Sequence, residues 1–96
     1  MLTWCIYDIS NNKRRKKTIC FLEETGLERV QYSVFLGDIN LKNKEKLFRN
    51  MKQILKKSED SLYLFSLSET NFKNLEIIGK GFKKEAFLEE KNVMIF

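Results

Sequence analysis

The chain has 96 residues, 43% of them hydrophobic, and a formal net charge of +5. That length sets one small domain burying roughly 60–68% of its unfolded surface, and the apolar share excludes a disordered chain. Histidine is absent, which excludes imidazole acid–base catalysis, Ser-His triads and zinc sites built on imidazole. A pI near 9.3 favours an anionic partner, nucleic acid above all, against the plain alternative of a solvated lysine-rich surface. Cys5 and Cys20 form no CxxC pair and fall in segments that read as buried, as two core thiols of a reducing cytosol would. No stretch reads as a signal peptide or approaches the ~20 apolar residues of a membrane span, so a soluble, cytoplasmic protein is expected.

In chain order, Leu2 to Ile9 carries Trp4, Cys5, Ile6 and Tyr7 in near-continuous apolar sequence, the pattern of a central buried strand. Ser10, Asn11 and Asn12 supply N-cap chemistry for a helix over about Lys13 to Thr25, with Ile19 and Leu22 on one side. Gly26 stands where a left-handed C-cap is wanted. Arg29 to Asp38 alternates as one strand, with Val30, Tyr32, Val34 and Leu36 on one face and Arg29, Gln31, Ser33 and Phe35 on the other. Asn40 caps a second helix running to about Lys57, on which Leu47, Phe48, Met51, Ile54 and Leu55 form an apolar stripe that reads as core. Leu62 to Leu67 and Leu75 to Gly79 read as further strands, and a charged stretch leads to the terminal apolar run Val93 to Phe96.

The chemistry lies early. Asp8 ends the first apolar run, and Lys13-Arg14-Arg15-Lys16-Lys17 place five cations at the following helix start. A carboxylate can hold a divalent cation and a positive helix N-terminus can hold phosphate, so the pair suggests phosphodiester chemistry or nucleic-acid binding. The residues alone leave the plain readings open: Asp8 ends a strand and caps a loop, and Arg15 and Arg29 are surface or ion-pair residues. Two other signals fail. Gly79-Lys80-Gly81 lacks phosphate-loop spacing, and Lys83-Lys84 break the RNP1-like start at Lys80.

Ile6-Tyr7-Asp8-Ile9-Ser10, Lys13-Arg14-Arg15 and the run from Gly26 to Phe35 resemble the CRISPR-associated Cas-two family. The motifs run to about Ile39; beyond it the likeness is one of element order. The resemblance implies an α+β fold, a ferredoxin-like βαββαβ sandwich with additional C-terminal strands. The resemblance also implies that two such chains form a homodimer by packing their sheets face to face. It implies two short antiparallel strands, with a tight reversal, in place of one over 29–38. Residues 1–79 are expected to form the ferredoxin-like domain, and 80–96 an extension ending in a strand that docks on a partner subunit.

The implied function is CRISPR adaptation (spacer acquisition in antiviral defence), with Mg²⁺- or Mn²⁺-dependent endonuclease cleavage of RNA or DNA. The alternative is a non-catalytic DNA-binding scaffold that bridges the Cas-one integrase; a generic ferredoxin-like RNA-binding domain stands outside the resemblance. Carried onto this chain, the catalytic set is Asp8, Tyr7, Arg15, Arg29 and Phe35, with Phe35 on the sheet face near the dimer axis. Asp8 is the metal ligand. Lys13, Arg14, Arg15, Lys16, Lys17, Arg29 and Ser33 contact nucleic acid. One carboxylate is too little for a six-oxygen magnesium shell, but a two-fold axis brings Asp8 from each chain to one ion. Two facing carboxylates repel and take up protons in competition with the metal, so activity is expected to rise with pH. Asn11 and Asn12 replace residues that are often acidic in the family, and Lys17 replaces an Arg of some members. Both departures weaken catalysis more than binding.

Overall fold

The computed structural model describes residues 1–82. Its elements are β1 (Leu2–Asp8), α1 (Asn12–Thr25), β2 (Glu28–Gln31), β3 (Val34–Asp38), α2 (Leu41–Ile54), β4 (Ser61–Leu67) and α3 (Glu69–Lys73). One four-stranded sheet has the order β2-β3-β1-β4, and every neighbouring pair is antiparallel. This is the ferredoxin-like α+β arrangement expected from the sequence, with β1 in the interior. Among the described residues, no helix is long and apolar enough to cross a membrane.

The continuous apolar run of β1 is explained by cover on both faces. Cys5 and Tyr7 join Leu22, Phe35, Leu47 and Met51 in the core beneath α1 and α2. Leu2 and Trp4 join Leu36 and Phe72 in a second cluster on the other face. Each such fully buried apolar side chain contributes about 1.5–3 kcal/mol. Burial pushes the Cys5 thiol up to about 12, so it stays protonated and acts as a small hydrophobe. Cys20 departs from expectation: it is exposed on α1.

Local chemistry sets the helix ends. The Asn11 side chain accepts from the Arg14 N–H at 2.9 Å, and the Asn40 side chain from the Asn43 N–H at 2.7 Å. Gly26 closes α1 at φ 104°, and its N–H donates to the Glu23 carbonyl. Helix α2 stops at Ile54, short of Lys57, because Leu55 turns extended and Lys56 begins a turn that its N–H closes on the Asp60 carboxylate at 2.9 Å.

The segment 29–38 is two strands, not one. Gln31 pairs with Val34 across a two-residue turn at Tyr32-Ser33, and a bulge lies between Arg29 and Gln31. Ser33 has φ 111°, a conformation normally left to Gly or Asn, so the reversal carries no turn signature in the sequence. Leu75 to Gly79 is not a strand either. The chain there makes the short helix α3, capped by Ser68, then an irregular segment that lays Phe72, Leu75 and Phe82 on the second cluster. The open sheet face is thus covered in part by the chain itself. The expected terminal strand Val93–Phe96, and the extension beyond Phe82, lie outside the described residues.

Gly37 on β3 is the tightest backbone approach in the sheet. A Cβ there would come 2.7 Å from the Gly26 carbonyl oxygen and 2.9 Å from Leu27 Cδ2. Gly37→Ala is therefore expected to lower stability by about 1–3 kcal/mol through overpacking, read as a shifted urea midpoint at unchanged m.

Candidate functional site

The period-two alternation of β1 separates Tyr7 from Asp8. Asp8, the last residue of β1, is exposed and lies opposite Ser61 at the start of β4. It shares the face of Leu2, Trp4 and Ile6, away from α1 and α2. Tyr7 points the other way and is 4% exposed, its ring centroid 6.2 Å from that of Phe35. Its backbone N–H donates to the Ser33 carbonyl at 3.1 Å, pinning the β2–β3 turn against the end of β1. Tyr7 is therefore an anchor for the strand end rather than a group presented to solvent.

The five cations divide by role. The Arg14 Nε–H donates to Asp60 Oδ2 at 2.7 Å and an Nη2–H to Asp60 Oδ1 at 3.2 Å, with Glu59 at 3.4 Å. The Asp60 side chain is 0% exposed, so this is a two-point clamp between α1 and the start of β4. The Arg14 hydrogen bonds hold the Asp60 carboxyl below the usual range, and the Lys56 N–H adds to the effect. Arg15 turns back instead. Its guanidinium donates to the Ile9 and Ser10 carbonyls at 3.0 and 3.2 Å and to the Asn12 side chain, drawing together the loop that follows Asp8. Lys13, Lys16 and Lys17 are exposed and make no ion pair among the described residues.

Asp8, Arg15, Ser33 and the basic run thus meet at one end of the sheet, whereas Phe35 and Arg29 do not. The expectation that Phe35 lies on the open face near a dimer axis is corrected: it is 0% exposed in the core beneath the helices. It pairs with Cys5, three residues and about 10 Å up β1 from Asp8. Arg29 is its cross-strand neighbour and lays its guanidinium 5.5 Å from the Phe35 ring centroid, a cation–π cover on the helix side. The open face instead carries Ile6, Val34, Tyr63 and Phe65, with Tyr63 63% and Phe65 39% exposed. Alternation within Leu62 to Leu67 was the available signal for those two aromatics.

Among the described residues there is no group of three or more Cys, Asp or Glu able to hold a metal ion. Asp8 offers one carboxylate. Asp60 immediately precedes β4, next to Ser61, the cross-strand partner of Asp8, but is held by Arg14 and Lys56.

The geometry defines a small ferredoxin-like domain that presents one carboxylate beside a cationic helix start. Residues 1–75 match the family described as CRISPR associated protein Cas2, and the chain belongs to that family. It is 35% identical over 69 residues to the CRISPR-associated endoribonuclease Cas2 1 of Archaeoglobus fulgidus, spanning 72% of this chain and 73% of that one. It is 36% identical over 74 residues to the CRISPR-associated endoribonuclease Cas2 3 of Synechocystis sp., spanning 77% and 79%. Among solved structures, a hypothetical protein from Thermus thermophilus superposes with a TM-score of 0.71 at 31% identity, over 83% of this chain and 92% of that one. Streptococcus pyogenes Cas2, crystallised at pH 6.5, superposes with a TM-score of 0.70 at 23% identity over 82% and 100%, a likeness of fold.

The Asp60 clamp sets a pH dependence. Its carboxyl is lowered in the folded state from an unfolded value near 3.9, so its contribution is complete above about pH 5 and is lost as pH falls through the folded value. Asp60→Asn is expected to cost about 1–3 kcal/mol in urea unfolding at pH 7, with the gap to wild type closing as pH falls through the lowered folded value.

Proposed function

We propose that this chain is a CRISPR-associated endonuclease that works as a homodimer in spacer acquisition, cutting phosphodiester bonds of RNA or DNA. The observation that carries the reading is the solitary exposed Asp8 at the end of β1, on the open sheet face and beside the cations of α1. Two copies that press their open faces together cover Ile6, Val34, Tyr63 and Phe65 and bring two Asp8 carboxylates to one axis. The endoribonuclease names of the relatives favour RNA as substrate.

The paired Asp8 residues would hold Mg²⁺ or Mn²⁺, each supplying one hard oxygen, with waters and substrate oxygens making up the rest. Such an ion, when bound, polarises a phosphate and lowers the pKa of water. Lys13, Lys16 and Lys17 bind the phosphate backbone as point charges. Arg15 fixes the loop behind Asp8, and Ser33, bonded through its carbonyl to Tyr7, sets the opposite wall. Arg14 acts through the Asp60 clamp and not on phosphate.

Asn11 and Asn12, in place of acids, favour a second reading in which the dimer holds duplex DNA for the Cas-one integrase without cutting it. Labelled single-stranded RNA and duplex DNA, incubated with Mg²⁺ or EDTA, separate the two. The nuclease reading expects cutting that EDTA abolishes and Asp8→Ala slows by at least about 10²-fold. Equal cutting by Asp8→Ala would sink it, and unimpaired duplex binding without cutting leaves the scaffold.

Tyr63→Glu with Phe65→Glu is expected to give a monomer in sedimentation and to remove activity together with the dimer. In duplex binding, Lys13→Ala, Lys16→Ala and Lys17→Ala should each flatten the log–log salt slope by about 0.9, while Arg14→Gln leaves it unchanged.

A further inference from the structure

The apolar stripe read from α2 does not enter the core whole. Leu47 and Met51 are buried, at 1% and 2% exposure, but Phe48 is 43% exposed and Leu41, one turn pair earlier, is 57% exposed. Leu41, Lys44, Glu45, Phe48, Arg49 and Lys52 stand at i, i+3, i+4, i+7, i+8 and i+11, one continuous strip of the helix. The first five of them, with Leu64 of β4, line an open groove of about 480 Å³.

The groove has an apolar floor of Leu41, Phe48 and Leu64 and a rim of Lys44 and Arg49 against the single acid Glu45, with a third cation, Lys52, one turn further along the helix beside Phe48. Two of the cations are held in place. Lys44 Nζ donates to Ser66 Oγ at 3.0 Å, and Lys52 Nζ lies 5.1 Å from the Phe48 ring centroid. None of the three forms an ion pair within the described residues, so their charge is uncompensated. The groove lies on the helix side of the sheet, whereas Asp8 lies on the opposite face, so the site described above does not use it.

We infer that this groove docks an acidic amphipathic helical segment of a partner protein. Leucine-type side chains of the segment fill the floor, and its Asp or Glu residues meet Lys44, Arg49 and Lys52. The floor decides between anionic partners. A phosphate backbone gains nothing from Leu41 or Leu64, which offer no stacking face, whereas an amphipathic helix covers both and satisfies the rim at once. Phe48 is the central anchor, in the position where truncation costs most.

The test uses fluorescence anisotropy on the full chain. The probe is a labelled 14-residue peptide with Leu at i, i+3, i+4, i+7 and i+11 and Glu at most other positions. A scrambled peptide of the same composition and a single-stranded oligonucleotide of equal length serve as competitors. The proposal expects the patterned peptide to bind at least about tenfold more tightly than the scrambled one. Phe48→Ser, and separately Arg49→Glu with Lys52→Glu, should each weaken that binding about tenfold at unchanged far-ultraviolet circular dichroism. Amide shifts on titration should concentrate within 41–52. Equal binding of the scrambled peptide, or binding that survives either variant, would overturn it. An oligonucleotide that displaces the peptide with equal affinity would make this a nucleic-acid surface instead, and peptide-independent dimer loss in either variant would make it a contact between copies of this chain.

Discussion

The position of β1 governs most of what this molecule can do. Bonded to β3 on one edge and β4 on the other, it has no freedom to slip, because a one-residue shift would exchange its two faces. Cys5 and Tyr7 are committed to the core beneath the helices, and that commitment forces Asp8 outward on the opposite face. A carboxylate on a loop could reach the same place, but only with an entropic cost and without a fixed bearing. Here the packing of Tyr7 against Phe35, and the hydrogen bond from its backbone to Ser33, hold the neighbouring residue in position. The aromatic next to the carboxylate contributes by being buried.

The basic run is a second case in which structural and chemical duties divide between adjacent residues. A cation that binds phosphate must keep its hydrogen-bonding capacity free, whereas one that orders a loop must spend it on protein acceptors. Arg14 and Arg15, with five donors each in a planar fork, take the ordering duties toward Asp60 and the Ile9–Ser10 carbonyls. The flanking lysines, compact charges on flexible stems, stay free. Among these five cations, arginine appears where geometry is being fixed. Glu59 shows the same economy: it is lowered chiefly by its hydrogen bond with Lys56 and then by Arg14, so the acidic turn before β4 absorbs the charge that would otherwise repel the clamp.

Much of this was legible before any coordinates. The apolar run of β1, the Asn caps of both long helices and the Gly26 stop are local signals with local causes, and each appears where it was read. The failures have identifiable physics. The β2–β3 reversal uses Tyr32-Ser33, with Ser33 at positive φ, so the residues that normally mark a turn are absent. Helix α3 has five residues and buries Phe72, too short for a period to show. Phe35 lies on the face opposite to the one the resemblance implies: β3 is apolar on both sides, Phe35 toward the helices and Val34 and Leu36 away, and alternation gives parity without saying which parity faces the core. Phe48 reads as core beside Leu47, yet successive helical residues are about 100° apart and a two-layer fold buries only one of them fully.

The same geometric limit explains why so small a chain has surface left for recognition. Among the described residues, two helices on one face and a five-residue helix on the other do not enclose four strands, so apolar area is left over in two separate places. On the open sheet face the leftover is Ile6, Tyr63 and Phe65, adjoining a carboxylate. On the outer side of α2 it is Leu41 and Phe48, adjoining lysines. An exposed aromatic gains little from water and much from a partner, and the charge beside it decides which partner is admitted. The sheet face carries the exposed Asp8 at its rim. The α2 strip, where Lys52 lies over Phe48 and Lys44 is tethered to Ser66, keeps its positive charge close to apolar surface and so selects for opposite charge and apolar bulk together. A net charge of +5 spread evenly would attract any polyanion; its division between the start of α1 and the outer side of α2 lets one domain discriminate.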